Sequence, residues 1–161
     1  MRNTAVNPPP PGYWQAVRSA CDRHGALLIL DETAVCLGRT GSMFACEKFD
    51  VTPDILNIGK DIGGGVLPFA AMIALSDLDI APKKGIGHYT HEKNPVAAAA
   101  GLTTIEIIET QNLSQRASDL GEHVMGRFRA MQNDHPLIGD MRGVGLVLDR
   151  TTKKRAVADH Q

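Results

Sequence analysis

The feature that most constrains the fold is a run of five apolar residues, 26–30, which stops abruptly at Asp31 and Glu32. An unbroken apolar run of this length predicts a parallel strand that is buried on both faces. Before it, residues 13–24 place their apolar side chains on one face of a helix, and Gly25 stands where a left-handed C-cap is expected. Helix, glycine, buried strand and terminal acid together predict part of a doubly wound α/β sheet.

Downstream of this unit, the apolar pattern alternates between strands and helices. It predicts two short buried strands, at 55–58 and 69–75, and two long helices. The first helix starts at Asn94 with Pro95 in its first turn, and the second follows Asn112, a candidate N-cap. A strand-like segment at 138–148 and a disordered tail at 151–161 come after them. Small residues at 97–101 predict close packing of the first long helix. In the second, apolar residues recur every three or four positions and predict one buried stripe, at 113, 117, 120, 124, 128 and 131.

Composition excludes several classes of protein. The net charge of −1 argues against nucleic acid or an anionic membrane surface as a partner, and no apolar run reaches the roughly 20 residues of a membrane helix. The three cysteines show no CxxC spacing and predict reduced thiols in a cytoplasmic protein. His88, His91 and Glu92 lie close together without the spacing of a known metal motif, so no metal site is expected.

Two of the predicted strands end at an ionisable residue. Asp31 closes the first, and Lys60 follows strand 55–58 directly before the glycines at 63–65. Because ligands of open α/β sheets bind outside the carboxyl ends of strands, a carboxylate and an amine could face one site there. On their own, the two residues are more often a loop start and a solvated turn. A nucleotide-binding P-loop is excluded, because its lysine follows the glycines.

Seven short motifs occur in a fixed order along the chain. They are DETAVCLGRTG at 31–41, MFA at 43–45, PDIL at 53–56, GKDIGGG at 59–65, HYT at 88–90, NPVAAA at 94–99 and GDMRGVGL at 139–146. Together they resemble the signature of class-III pyridoxal-phosphate aminotransferases. The resemblance covers nearly everything from Pro10 to Leu148, and several independent motifs make it specific.

The resemblance implies the α/β architecture of fold-type I pyridoxal-phosphate enzymes, with a mixed, mostly parallel sheet. Residues 1–111 would form part of the large cofactor-binding domain. Residues 112–161 would comprise the interdomain helix, the truncated start of a small α+β C-terminal domain and a disordered tail. Members of the family are more than twice as long, so the chain is expected to be an internal to C-terminal fragment with little turnover of its own.

The same resemblance implies roles for five residues. Lys60 would form the Schiff base with the aldehyde of pyridoxal 5'-phosphate and would then move a proton at the substrate's amino-bearing carbon. Asp31 would hold the pyridine nitrogen protonated, and Thr33 would pack against the ring. Ala34 stands where the family commonly has a glutamine that bonds the cofactor's phenolic oxygen, a bond that alanine cannot make. Thr90 would bind the cofactor phosphate across the interface of a homodimer.

The implied activity is that of a transaminase, which moves an amino group from an amine or amino acid donor to a 2-oxo acid acceptor. Two alternatives stay open: a lyase of the same family, which would use the same lysine, and a catalytically inactive dimerisation fragment. Arg39 and Arg142 are predicted to form structural ion pairs rather than clamps for substrate carboxylates.

Overall fold

The computed structural model describes residues 6–81, 83–85 and 89–152. The helices and strands follow one another along the chain as α1 (Tyr13–His24), β1 (Ile29–Asp31), α2 (Ala45–Lys48), β2 (Ile55–Ile58), β3 (Ala71–Ala74), α3 (Pro95–Thr110), α4 (Leu113–Asp134), β4 (Ile138–Val144) and β5 (Val147–Thr152). Two short 3₁₀ helices cover Lys60–Gly63 and Ser76–Leu78. The predicted α/β class is confirmed.

The larger sheet is mixed, as predicted, and has the strand order β1-β2-β3. The central strand, β2, runs parallel to β1 and antiparallel to β3, so one of the two pairings is parallel. At the carboxyl end of the parallel pair, Asp31 lies opposite Asn57. The antiparallel hairpin of β4 and β5 forms a separate sheet.

The prediction that the apolar run before Asp31 is buried on both faces is wrong. Leu28 and Leu30 are buried, whereas Leu27 and Ile29 are each 53% exposed. Successive side chains of a strand point to opposite faces, and the hydrophobic core covers only the face of Leu28 and Leu30. A continuous apolar run therefore overstates the burial of this strand.

The third predicted strand is shorter and more exposed than its sequence indicates. It spans Ala71–Ala74 and lies at the sheet edge, where Met72 and Ile73 are 65% and 47% exposed. Phe69, which was assigned to the strand, packs instead against α3: a Cβ on Gly101 would lie 2.6 Å from its ring. This contact confirms the close packing predicted from the small residues of α3.

The helix boundaries follow the sequence closely. Gly25 adopts the predicted left-handed conformation after α1. At the start of α3, the Asn94 side chain accepts a hydrogen bond from the N–H of Val96 at 3.0 Å, as expected of an N-cap. Asn112 precedes α4 but has a φ of 51° and makes no side-chain cap bond, so the predicted capping there is wrong.

The buried face of α4 is rotated relative to the predicted stripe. Ala117, Gly121 and Met125 are buried, whereas Leu120 and Met131 are 43% and 44% exposed. The β4–β5 hairpin packs on the side that carries Gly121, and this small residue gives no apolar signal in the sequence.

Strand β5 also corrects the predicted tail. It continues to Thr152, so the disorder predicted from residue 151 onwards is wrong for its first two residues. The remainder of that prediction, residues 153–161, lies outside the described residues.

An ion pair ties α1 to the two parallel strands. Asp54, just before β2, accepts hydrogen bonds from Arg18 of α1 at 2.7 Å and from the N–H of Leu28 at 2.6 Å. The Arg18 guanidinium and the Leu28 N–H hold the pKa of the Asp54 carboxyl below its usual range. Within the described ranges, no helix has both the length and the apolar character needed to span a membrane.

Candidate functional site

Asp31 and Lys60 lie at the same edge of the larger sheet. Asp31 is the last residue of β1, and Lys60 opens the 3₁₀ turn that follows β2. The two strands remain paired to their ends, where the N–H of Glu32 donates to the carbonyl of Asn57 at 2.9 Å. Since neighbouring parallel strands end at one edge of a sheet, the fold brings the carboxylate and the amine into one region.

The carboxyl group of Asp31 is exposed and held in its ionised form. Its Oδ1 accepts a hydrogen bond from the backbone N–H of Thr33 at 3.1 Å. Hydrogen bonding from Thr33 is the main reason that the pKa of Asp31 lies below its usual value, and the positive charge of Lys60 lowers it further. The site therefore presents a carboxylate throughout the neutral pH range, as a protonated ring nitrogen requires of its partner.

Thr33 contacts Asp31 and the residue that precedes Lys60. A Cβ on Gly59, the residue before Lys60, would lie 3.4 Å from Cγ2 of Thr33. The structure thus groups Asp31, Thr33 and Lys60, with the half-buried Ala34 next in the same turn.

Lys60 adopts a backbone conformation that non-glycine residues rarely adopt. Its φ of 54° is left-handed, and such residues persist only where the surrounding structure holds them, often at functional sites. The next residue, Asp61, accepts a hydrogen bond from Nε of Arg39 at 2.6 Å, and this ion pair raises the pKa of Arg39. This contact confirms the ion pair predicted for Arg39. Arg142 also faces an acid, with its Nη1 3.6 Å from a carboxylate oxygen of Asp140.

Thr90 is not joined to this group. It lies in an exposed turn just before α3, and no hydrogen bond among the described residues links it to Asp31 or Lys60. His88, in the same motif, lies outside the described residues. Across the described part of the chain, no group of three or more His, Cys, Asp and Glu side chains is arranged to hold a metal ion.

Glu32 anchors the loop after β1, a role that nothing in the local sequence pattern indicates. Its side chain is buried, and its two carboxylate oxygens accept hydrogen bonds from the backbone N–H groups of Ala45 and Cys46, each at 2.6 Å. These bonds fix the loop that carries Thr33 and Ala34. Burial, together with the charge of Glu32, raises the pKa of the Cys46 thiol to about 12, so the thiol stays protonated.

We expect Glu32→Gln to lower the free energy of unfolding by about 1–3 kcal/mol, because the amide places a donor against a buried backbone donor. Equilibrium unfolding in urea measures the change. Glu109→Gln, at an exposed position on α3, is the matched control and should stay within about 0.5 kcal/mol of the original. Equal effects of the two substitutions would contradict the anchoring role of Glu32.

A cavity of about 490 Å³ opens beside Asp31. Ile29, Trp14 and Phe49 give it largely apolar walls, and Glu32 adds a second carboxylate. Lys60 does not line this cavity.

The sequence matches the family model for class-III aminotransferases over residues 3–160. It is 43% identical over 162 residues to the (R)-1-hydroxy-2-aminoethylphosphonate ammonia-lyase of Vibrio splendidus, with 97% of this chain and 34% of the relative covered. It is 44% identical over 156 residues to the leucine/methionine racemase of Thermococcus litoralis, with 92% and 34% covered. The chain thus spans about a third of the length of these curated relatives.

Solved structures show the same similarity. An (S)-enantioselective omega-transaminase from Thermomicrobium roseum superposes with a TM-score of 0.84 at 30% identity, covering 91% of this chain and 33% of that one. An ornithine aminotransferase from Plasmodium yoelii superposes with a TM-score of 0.87 at 29% identity, covering 93% and 40%. The observed fold is therefore that of a segment of fold-type I pyridoxal-phosphate enzymes.

Proposed function

The chain belongs to the class-III aminotransferases, a family of pyridoxal-phosphate-dependent enzymes, and we propose that it holds the lysine and the carboxylate with which such an enzyme transfers amino groups. The amino donor would be an amine or amino acid, and the acceptor a 2-oxo acid. The observation that carries the proposal is the placement of Asp31 and Lys60 at the ends of neighbouring parallel strands.

The donor set suits the cofactor. Asp31 offers an exposed carboxylate that is ionised at neutral pH, which is what a protonated pyridine nitrogen requires. Lys60 is exposed and has no carboxylate within salt-bridge distance among the described residues, so its amine is available to an aldehyde.

Bound pyridoxal phosphate would supply an electron-withdrawing ring that delocalises the electron pair left when the amino-bearing carbon loses a proton. Asp31 would keep this ring protonated by accepting a charge-assisted hydrogen bond from its nitrogen. Lys60 would be the point of covalent attachment, and its released amine would accept the proton and return it. Thr33 would pack against the ring.

A homodimer would complete the site. We propose that Thr90 contributes its hydroxyl to a cofactor phosphate held by a second copy of the chain. Its exposed position before α3 supports this arrangement. An amino-group acceptor such as a 2-oxo acid would then bind at the same composite site after the donor leaves.

Ammonia elimination is the second candidate reaction. The two curated relatives, at 43% and 44% identity, are an ammonia-lyase and a racemase, whereas the transaminases and aminotransferases among the similar solved structures are 29–37% identical. Transamination, elimination and racemisation all need a base at the amino-bearing carbon, so Lys60 and Asp31 would serve each of them.

The products of a single turnover separate these reactions. We expect the purified chain, loaded with pyridoxal phosphate and given a panel of amino donors, to convert little donor on its own. What it does convert should give the 2-oxo acid and the amine form of the cofactor in equal amounts. Absorbance of the cofactor and an enzymatic ammonia assay measure the outcome. Ammonia release without the amine form would establish elimination instead, and inversion of the donor's configuration without either product would establish racemisation.

A further inference from the structure

We propose that a second cavity, between α4 and the β4–β5 hairpin, binds an organic phosphate or phosphonate dianion. The cavity has a volume of about 900 Å³. It shares only Asn7 and Pro8 with the cavity beside Asp31, so it is a separate site. Arg142, Arg129 and Lys48 would bind the anion.

Arg142 supplies the first argument, because one of its donors lacks an acceptor. Its side chain is 28% exposed, and its buried Nε has no hydrogen-bond partner. Its nearest acid, Asp140, is 3.6 Å from Nη1 and has a side chain that is 65% exposed, which makes a long and weak ion pair. Solvent does not reach Nε, so an anion in the cavity would bind the terminal nitrogens of the guanidinium, which make no hydrogen bond among the described residues.

The charge of the cavity wall is the second argument. Lys48 of α2 and Arg129 of α4 line the cavity with Arg142, and neither has a carboxylate partner among the described residues. Against these three cations, the wall contains a single acid, Glu122. The excess of positive charge matches a dianion better than a monovalent carboxylate.

The remaining wall indicates what accompanies the anionic group. Met125, Met141 and Leu148 give the cavity an apolar portion. Arginine forks fit the oxygens of phosphate and phosphonate in a bidentate manner. A ligand with an apolar body and a phosphate or phosphonate group would therefore use both parts of the cavity.

Thermal unfolding of the whole chain tests the proposal, with phenylphosphonate as the probe. We expect it to raise the midpoint of unfolding more than benzoate, and more than sodium chloride at equal ionic strength. At fifty times its dissociation constant, the probe would shift the folding equilibrium about 50-fold. Inorganic phosphate should act in the same direction but more weakly, because it lacks the apolar body. No response to phenylphosphonate beyond that to sodium chloride would overturn the proposal.

Substitutions distinguish a ligand-binding arginine from a structural one. Arg142→Met should abolish the response to phenylphosphonate while leaving the stability of the ligand-free chain unchanged or higher, because a buried unpaired donor disappears. A structural arginine predicts lower stability without ligand. Arg129→Gln, at an exposed position, should weaken binding about 10-fold or more, and decides the question where Arg142→Met fails to fold.

Arg127→Gln is the matched control, since Arg127 is exposed on α4 and does not line the cavity. This variant should retain the full response. A response to phenylphosphonate that survives Arg129→Gln, or that falls equally with Arg127→Gln, would overturn the proposal. The site does not involve Lys60, so these results are independent of the proposed transaminase reaction.

Discussion

We expect Lys60→Arg to abolish the covalent attachment of pyridoxal phosphate to the chain. Borohydride treatment of the original chain with the cofactor should leave a stable adduct on Lys60, because reduction traps the bond between an amine and an aldehyde. Arginine keeps the positive charge and faces the same left-handed backbone conformation, but its guanidinium remains protonated and cannot act as the amine. Peptide mapping by mass spectrometry measures the occupancy at residue 60.

Two variants complete this experiment. Lys84→Arg, at an exposed lysine far along the chain, should leave the adduct on Lys60 intact. Asp31→Asn should also leave it in place but slow single-turnover conversion of a donor by about 10²–10³, because it removes the charge that keeps the ring protonated. A label spread over surface lysines and unchanged by Lys60→Arg would contradict the assignment of Lys60.

The sequence predicts the positions of Asp31 and Lys60 in the fold well, because both residues mark the ends of apolar strands and strand termination is a local property of the chain. Strand 55–58 agrees with the observed β2, and the helix over 13–24 agrees with α1. The parallel pairing of β1 and β2 then brings the two residues to one edge. Their assignment as a cofactor site stays a prediction, which the experiments above address.

Burial is less predictable from the same residues. Leu27 and Leu28 are chemically identical, yet one is exposed and the other is in the core, because only one face of the sheet is covered. The role of Glu32 is likewise invisible in the sequence. It depends on the backbone of α2, thirteen and fourteen residues further along the chain, returning to the end of β1.

The contact between α4 and the β4–β5 hairpin is made by glycines that are far apart in the sequence, so no local sequence pattern predicts it. Gly121 faces the backbone of Gly145, which turns with a φ of 56° between the two strands. Gly145 in turn lies against the loop at Arg39: its Cβ would be 2.6 Å from the Arg39 carbonyl, which accepts a hydrogen bond from Leu146 at 2.9 Å. Three backbone segments are stacked there without space for a side chain.

We therefore expect Gly121→Ala to lower the free energy of unfolding by about 1–3 kcal/mol, since its methyl group would overlap the Gly145 carbonyl and backbone cannot yield as a side chain can. Gly126→Ala is the matched control on the same helix. A Cβ there meets nothing within 4 Å, so the substitution should raise stability by about 0.5–1 kcal/mol through helix propensity. Urea unfolding of both variants measures the difference.

The opposite signs make this pair informative, because the two substitutions change helix propensity equally. A gain in stability from both would show that the hairpin does not rest on α4 at Gly121. Hydrogen exchange extends the test to the candidate site. The backbone carbonyl of Arg39 accepts a hydrogen bond from the hairpin, and the side chain of Arg39 pairs with Asp61. A displaced hairpin should therefore speed amide exchange in the 61–64 turn after Lys60. Unchanged exchange in Gly121→Ala would mean that the hairpin and the lysine turn are mechanically independent.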